Sequence, residues 1–312
     1  MTSPAPGLAR WSLPIALALM TVWGMNFAVT KHILDRVPVN AFLFLRFLWM
    51  PLLALGLILW LYRGRLADSL PRRRDLPRFI LAGLVGHAGH VAIVTWGLHL
   101  STAFSSSLVL TSGPLFTLLI LALVGADRLQ TSQVAGTLAA FLGILLFMSE
   151  KFTSGLARAG LGDLVLLFAA SLFSLYTVIA RPLTARYGAP LLLGWTLAFG
   201  APPVLLLTLP AFLAAPLGAL QPLTWIYMFY AITVSSFLGW LGWAWVNQVR
   251  GVAKSAPLMY LMPPIAGIVA WLTLGETFTP LKVAGAVLTM AGVAWAQFGG
   301  GLKRAVSQAD SG

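Results

Sequence analysis

The chain has 312 residues, 59% hydrophobic and 9% charged, with a mean hydropathy of +0.89. Soluble domains carry roughly 25% charged residues, so the composition excludes a water-soluble globule. The formal net charge of +12 does not indicate nucleic acid, because the cations fall in short breaks between apolar runs and form no continuous basic face.

A helix needs about 20 apolar residues to cross a bilayer. The opening "MTSPAPGLAR" has one arginine and leads into an apolar run with no small-residue cleavage site, so that run is read as a retained span. Breaks at charge clusters, proline and glycine place five spans at Ser12–Leu34, Val39–Leu61, Arg78–Leu98, Ala103–Val124 and Ser132–Ser149. Five more follow at Leu161–Ala180, Ala189–Ala211, Thr224–Val249, Ala253–Leu274 and Leu281–Phe298. The tightest turns fall at His99 and Arg250, and the tail "GGGLKRAVSQADSG" is expected to be disordered.

Lysine and arginine mark cytoplasmic loops. One set of alternate breaks holds Arg10, the cluster from Arg63 to Arg78, Arg128, Arg181, Arg186, Arg250, Lys254, Lys303 and Arg304. The other holds Lys31, Arg36, Lys151, Arg158 and Lys282. The asymmetry predicts that both termini are cytoplasmic.

The two halves resemble each other. "VAGTLAAFLG" from Val134 matches "VAGAVLTMAG" from Val283, and Ala103, Ser105, Leu108, Pro114 and Gly125 match Ala253, Ser255, Leu258, Pro264 and Gly275 at an offset of 150. A one-residue gap pairs Asp127 with Glu276. Five spans per half is an odd number, so the second half enters the membrane from the opposite side. The expected fold is therefore an all-α integral membrane protein of ten transmembrane helices, arranged as two inverted five-helix repeats around a central cavity. The repeats would span residues 12–149 and 161–298, with 299–312 as a cytoplasmic tail. Inverted repeats of this kind belong to secondary transporters, with the site near the midplane between the halves.

"MTVWGMNFAVTKHIL", "LFLRFLW", "LHLSTAFSSSLVLTSGPLFTLLI" and "APLMYLMPPIAGIVAWLTLGETFTPLKVAGAVLTMAGV" resemble the EamA-like family of the drug/metabolite transporter superfamily. The resemblance runs through both halves. It implies a ten-helix bundle in the bacterial inner membrane that exports amino acids or related small metabolites, and it leaves the substrate open. The chain departs from the family pattern at "GADRLQ", where an acidic residue usually follows the glycine directly, and in the two histidines of the third span.

His87 and His90 share one face of the third span, and Ser236, Trp240, Trp243 and Asn247 form a stripe on the eighth. The 150 offset pairs His90 with Trp240 and Asn26 with Tyr176, so these residues are candidates for a substrate-binding cavity of mixed aromatic and polar character. Each has a second reading, as helix packing, an interfacial anchor or a histidine satisfied by a backbone carbonyl. Arg46 lies roughly 10 Å from the start of its span at 1.5 Å per residue. It either snorkels to the headgroups or faces the cavity and holds a carboxylate. Lys31 and Arg181, at span ends, are read as snorkelling. Glycines 136, 143, 285 and 292 are read as close-packing positions, and Pro114, Pro263 and Pro264 as interruptions of spans four and nine.

Asp35, Asp127, Glu150, Asp163 and Glu276 all fall at span ends, so a mid-membrane carboxylate relay is missing. Proton coupling would need His87 or His90; otherwise the protein is a facilitator or exchanger. No catalytic residue, metal site or cofactor is expected: the chain has no cysteine, no H-E-x-x-H, no G-x-S-x-G and no acidic cluster. The expected partners are a small-molecule substrate and membrane lipids, with the chain a monomer or homodimer. A lipid scramblase or a structural membrane protein is the alternative, and an intramembrane enzyme a more distant one.

Overall fold

The computed structural model describes residues 10–123, 131–153, 158–250 and 256–309. Among them every regular element is helical. Helix α1 covers Ser12–Leu34 and α2 Val39–Leu61. Helix α3 is one continuous run built from an α segment Leu76–Ala82, a π-helical segment Gly83–Val91 and an α segment Ala92–Leu100. Then come α4 (Ala103–Leu110), α5 (Gly113–Leu123) and α6 (Thr131–Thr153). Helix α7 covers Arg158–Ala214. Helix α8 repeats the design of α3, with α segment Pro222–Phe229, π segment Tyr230–Leu238 and α segment Gly239–Arg250. A 3-10 turn, Ala256–Leu261, leads into α9 (Met262–Leu274), and α10 covers Pro280–Ala309.

Among the described residues six helices are long and apolar enough to cross a membrane: Ser12–Leu34, Val39–Leu61, Leu66–Leu100, Thr131–Ser149, Gly160–Ala214 and Pro222–Val246. Leu258–Leu274 and Pro280–Ala296 are apolar but shorter. The surface suits a lipid environment by inverting the usual pattern. Leu207 is 80% exposed, whereas Ser105, Ser106, Ser107 and Ser112 are 0% exposed. Ser106, Ser107 and Ser112 turn back on local carbonyls, those of Thr102 at 2.7 Å, Phe104 at 2.7 Å and Val109 at 2.6 Å.

Several expected boundaries move. The fourth span is broken at Thr111 and Ser112, where α4 ends and α5 begins. Pro263 and Pro264 open α9 instead of interrupting it, because a helix start has no hydrogen bond for proline to remove. The sixth span does not stop at Ala180. The chain stays helical up to Gly188, whose backbone (φ 75°, ψ 173°) is a conformation that only glycine adopts readily. At 1.5 Å per residue the 57 residues of α7 would extend about 85 Å if straight, more than twice the ~30 Å hydrocarbon core, and Gly188 divides them into two limbs, each long enough for one crossing. The tail is also helical as far as Ala309, where disorder was expected. Asp127, Arg128 and Lys254 lie outside the described residues.

Lys31 does not snorkel. Its ammonium donates to the carbonyls of Leu98, His99 and Ser101 at 3.3, 2.9 and 2.7 Å, filling the carbonyl-rich C-terminal end of α3. The same turn is gripped twice more. Ser101 and Ser105 donate to the buried Asp163 carboxylate, and Glu276 accepts from the Ala103 and Phe104 N–H groups at the start of α4. At the opposite end of α3, Arg186 and Tyr187 hold Asp75.

Helices α6 and α10 meet backbone to backbone. A Cβ added at Gly136 would lie 2.6 Å from the Gly292 carbonyl oxygen, and one at Gly143 would lie 2.8 Å from that of Gly285. Gly292→Leu should therefore cost about 1–3 kcal/mol, by forcing the helices apart. In detergent its thermal midpoint should fall clearly below that of Gly218→Ala, a position with open space around it. Equal midpoints would refute close packing at this seam.

Candidate functional site

The two π segments decide what faces the interior. A π turn adds a residue to the helical repeat, which re-aims the side chains beyond it, and such turns are frequent at functional sites. In α3 the glycines of "GLVGHAGHV" let the segment approach its neighbours. A Cβ at Gly83 would lie 2.9 Å from the Gly200 nitrogen of α7, and one at Gly86 would collide with the Tyr176 ring. The close approach sets the two histidines. His90 bonds the Ala169 carbonyl through Nδ1 at 2.8 Å. A carbonyl can only accept, so Nδ1 carries the proton and Nε2 is the ring's remaining polar atom. His87 bonds Thr196 Oγ1 through Nε2 at 3.0 Å. The Thr196 hydroxyl donates to the Leu192 carbonyl at 2.7 Å, so the His87 Nε2 is the donor. The bonded proton thus sits on Nδ1 in His90 and on Nε2 in His87.

A cavity of about 180 Å³ lies among α1, α2, α3, α7 and α8, with contributions from Leu110, Met259 and Met262. Five of the eight expected residues line it: Asn26, Arg46, His90, Trp240 and Trp243. His87 and Tyr176 do not. They stand behind Trp240, with ring centroids 5.5 and 5.9 Å from its own and 5.8 Å from each other. The side chain of Asn247 lies outside the described atoms.

Arg46 has an interior partner, not a headgroup one. Its Nη2 donates to Ser236 Oγ of α8 at 2.8 Å, while its Nε is buried without a partner. Asn26 Oδ1 and Thr30 Oγ1 are likewise buried and unpartnered. No carboxylate is among the described lining residues, so the wall presents one cation and no anion. Apart from Arg46 and a few polar groups the wall is aromatic and aliphatic. Such a surface can bury a small apolar body while fixing one charged end.

Sequence reasoning missed Trp23, Phe27 and Thr30, which also line the cavity. With Asn26 they form one stripe of α1, spaced 23, 26, 27, 30, so helical periodicity alone could have found them. Phe173, from α7, was also missed and packs against both His90 (5.1 Å) and Trp240 (5.9 Å).

The family model for the EamA-like transporter family matches residues 10–149 and again residues 160–297. The chain is 29% identical over 289 residues to the "Probable terminal-alkyne amino-acid exporter" of Streptantibioticus cattleyicolor, with 91% of this chain and 92% of that one covered. It is 28% identical over 298 residues to the "Probable amino-acid metabolite efflux pump" of Salmonella typhimurium, covering 93% and 96%. One solved crystal structure superposes with a TM-score of 0.62 at 18% identity, covering 92% of this chain and 97% of the other, which establishes a common fold. The double match, spread over nearly the whole sequence, makes this chain a multi-pass membrane protein of the EamA-like transporter family.

Proposed function

We propose that the protein is a secondary transporter of the bacterial inner membrane that exports small amino-acid-like metabolites by alternating access. In this reading the chain crosses the membrane ten times, as inverted five-helix repeats over 12–149 and 161–298, with both termini in the cytoplasm. The separate family matches in each half support the repeats, and the two limbs of α7 on either side of Gly188 supply two of the crossings. The names of the relatives support the substrate class.

The observation that carries the reading is Arg46. Its guanidinium is turned into the bundle, bonded to a neutral hydroxyl, at a wall with no acid among its described residues. A buried cation without a counter-ion is costly, and the solute's carboxylate is the natural anion to supply it. The cavity is smaller than the ~300–1,000 Å³ of sites for drug-sized ligands, which suits a solute of amino-acid dimensions. The indoles of Trp23, Trp240 and Trp243 offer apolar cover for a side chain.

Cells overproducing the protein should tolerate toxic amino-acid analogues better than controls, and vesicles containing the purified protein should move a labelled amino acid. Movement of labelled lipid without movement of any amino acid would favour the scramblase reading instead. Arg46→Gln should insert normally yet raise the KM for a carboxylate solute about 10- to 100-fold, the equivalent of the ~1.5–3 kcal/mol of a hydrogen bond to a charged group. Arg46→Lys should recover part of the loss, because lysine keeps the charge and lacks the planar fork. Wild-type kinetics in a well-expressed Arg46→Gln protein would end the carboxylate role. A reporter active only outside the cytoplasm, fused after Gly312, should stay silent; activity would reverse the proposed orientation.

A further inference from the structure

The hydroxyl that holds Arg46 is placed by an unusual backbone. Thr95, Ser107 and Thr208, buried hydroxyls that bond within their own helices, reach three or four residues back, to Val91, Phe104 and Val204. Ser236 instead donates to the carbonyl of Ala231, five residues back, at 2.7 Å. It can do so because it lies within the π segment Tyr230–Leu238, whose backbone register is i to i−5. A serine hydroxyl has one proton. With that proton committed to Ala231, the oxygen faces Arg46 only as an acceptor, and it takes the Nη2 hydrogen at 2.8 Å. Ser236 is itself only 3% exposed, so no bulk water competes for that bond.

The same segment fixes a second wall residue. The carbonyl of Ser235 accepts from the Trp23 indole Nε1 at 2.9 Å. Adjacent residues of one π segment therefore hold Trp23 from α1 and Arg46 from α2, both of which line the cavity. A guanidinium docks a carboxylate through parallel N–H groups, so the rotation of its plane decides whether the fork meets the solute. One bond to Ser236 sets that rotation, and Nε with the N–H groups not spent on Ser236 remains for the solute.

We propose that Ser236, held by the π register of α8, is a positioning residue that orients the Arg46 guanidinium toward the solute carboxylate and so sets the affinity for acidic solutes. This rests on the carboxylate reading given under Proposed function, and the test separates the two. Phenylglyoxal condenses across both terminal nitrogens of a guanidinium, so a bond that pins Nη2 protects against it. In full-length purified protein, Ser236→Ala should be modified at Arg46 several-fold faster than wild type, read by peptide mass spectrometry, and Ser236→Thr, which keeps the hydroxyl, should return toward the wild-type rate. In vesicles Ser236→Ala should raise the KM for a carboxylate solute roughly tenfold with kcat within about twofold, as loss of one hydrogen bond to a charged group predicts. Ser107→Ala, which removes a buried hydroxyl bonded within its own helix, should move neither quantity. An unchanged modification rate in Ser236→Ala overturns the positioning role. Faster modification with an unmoved KM overturns the role in solute affinity. Faster modification in a protein that moves no carboxylate solute supports the hold on Arg46 and rejects the proposed substrate class.

Discussion

A polar group inside this bundle has no water to fall back on, and the rest of the architecture follows from that constraint. Each unpaired buried donor or acceptor costs about 1–3 kcal/mol. Ser106 and Ser107 therefore bond backbone carbonyls of the preceding turn, Ser105 bonds Asp163, and Lys31 caps the end of α3. Glu276 caps the start of α4, and each of the two histidines has a fixed partner. Against this background Asn26 Oδ1, Thr30 Oγ1 and Arg46 Nε are informative, because they lack partners and their residues share one cavity. These three atoms leave hydrogen-bonding capacity for a solute in that cavity.

The two π segments are the second organising feature. A π register has poorer geometry than an α-helix and is retained where it does something an α-helix cannot. In α3 it carries His87 against Tyr176 and Thr196 and His90 against Ala169 and Phe173, all of α7; in α8 it presents a hydroxyl and a carbonyl to side chains from α1 and α2. Segments from both halves of the chain thus shape one cavity, and neither half contains the whole of it.

The sequence made the helices legible because hydrophobic length is a direct physical requirement of the bilayer. The termini of α1 and α2 coincide with the expected spans. Arg46, His90, Trp240 and Trp243 were legible as cavity residues because polar or amphipathic side chains within apolar runs need a reason to be there. Other features were not. No local signal distinguishes a π segment from an α segment, so Ser236 read as one member of a stripe and its reach to Ala231 stayed hidden. The choice between snorkelling and interior contact is decided by partners distant in sequence. Arg46 sits 190 positions from Ser236, and Lys31 about 70 from the carbonyls it binds. Trp23 and Thr30 were missed for a different reason, since their stripe was visible but Asn26 alone was drawn from it.

The contrast between the two ends of α3 has a consequence for the ionic medium. At one end Asp163 is fully buried with the hydroxyls of Ser101 and Ser105. At the other, the buried Asp75 is gripped by Arg186, whose side chain is 40% exposed. Mobile ions attenuate interactions between exposed charges over a Debye length of about 8 Å at physiological strength and barely reach buried ones. Electrolyte therefore reaches the Asp75 end through the exposed arginine and leaves the Asp163 end almost untouched. The helix that carries His87 and His90 is moored at one end by a contact the surrounding solution can tune, and at the other by one it cannot.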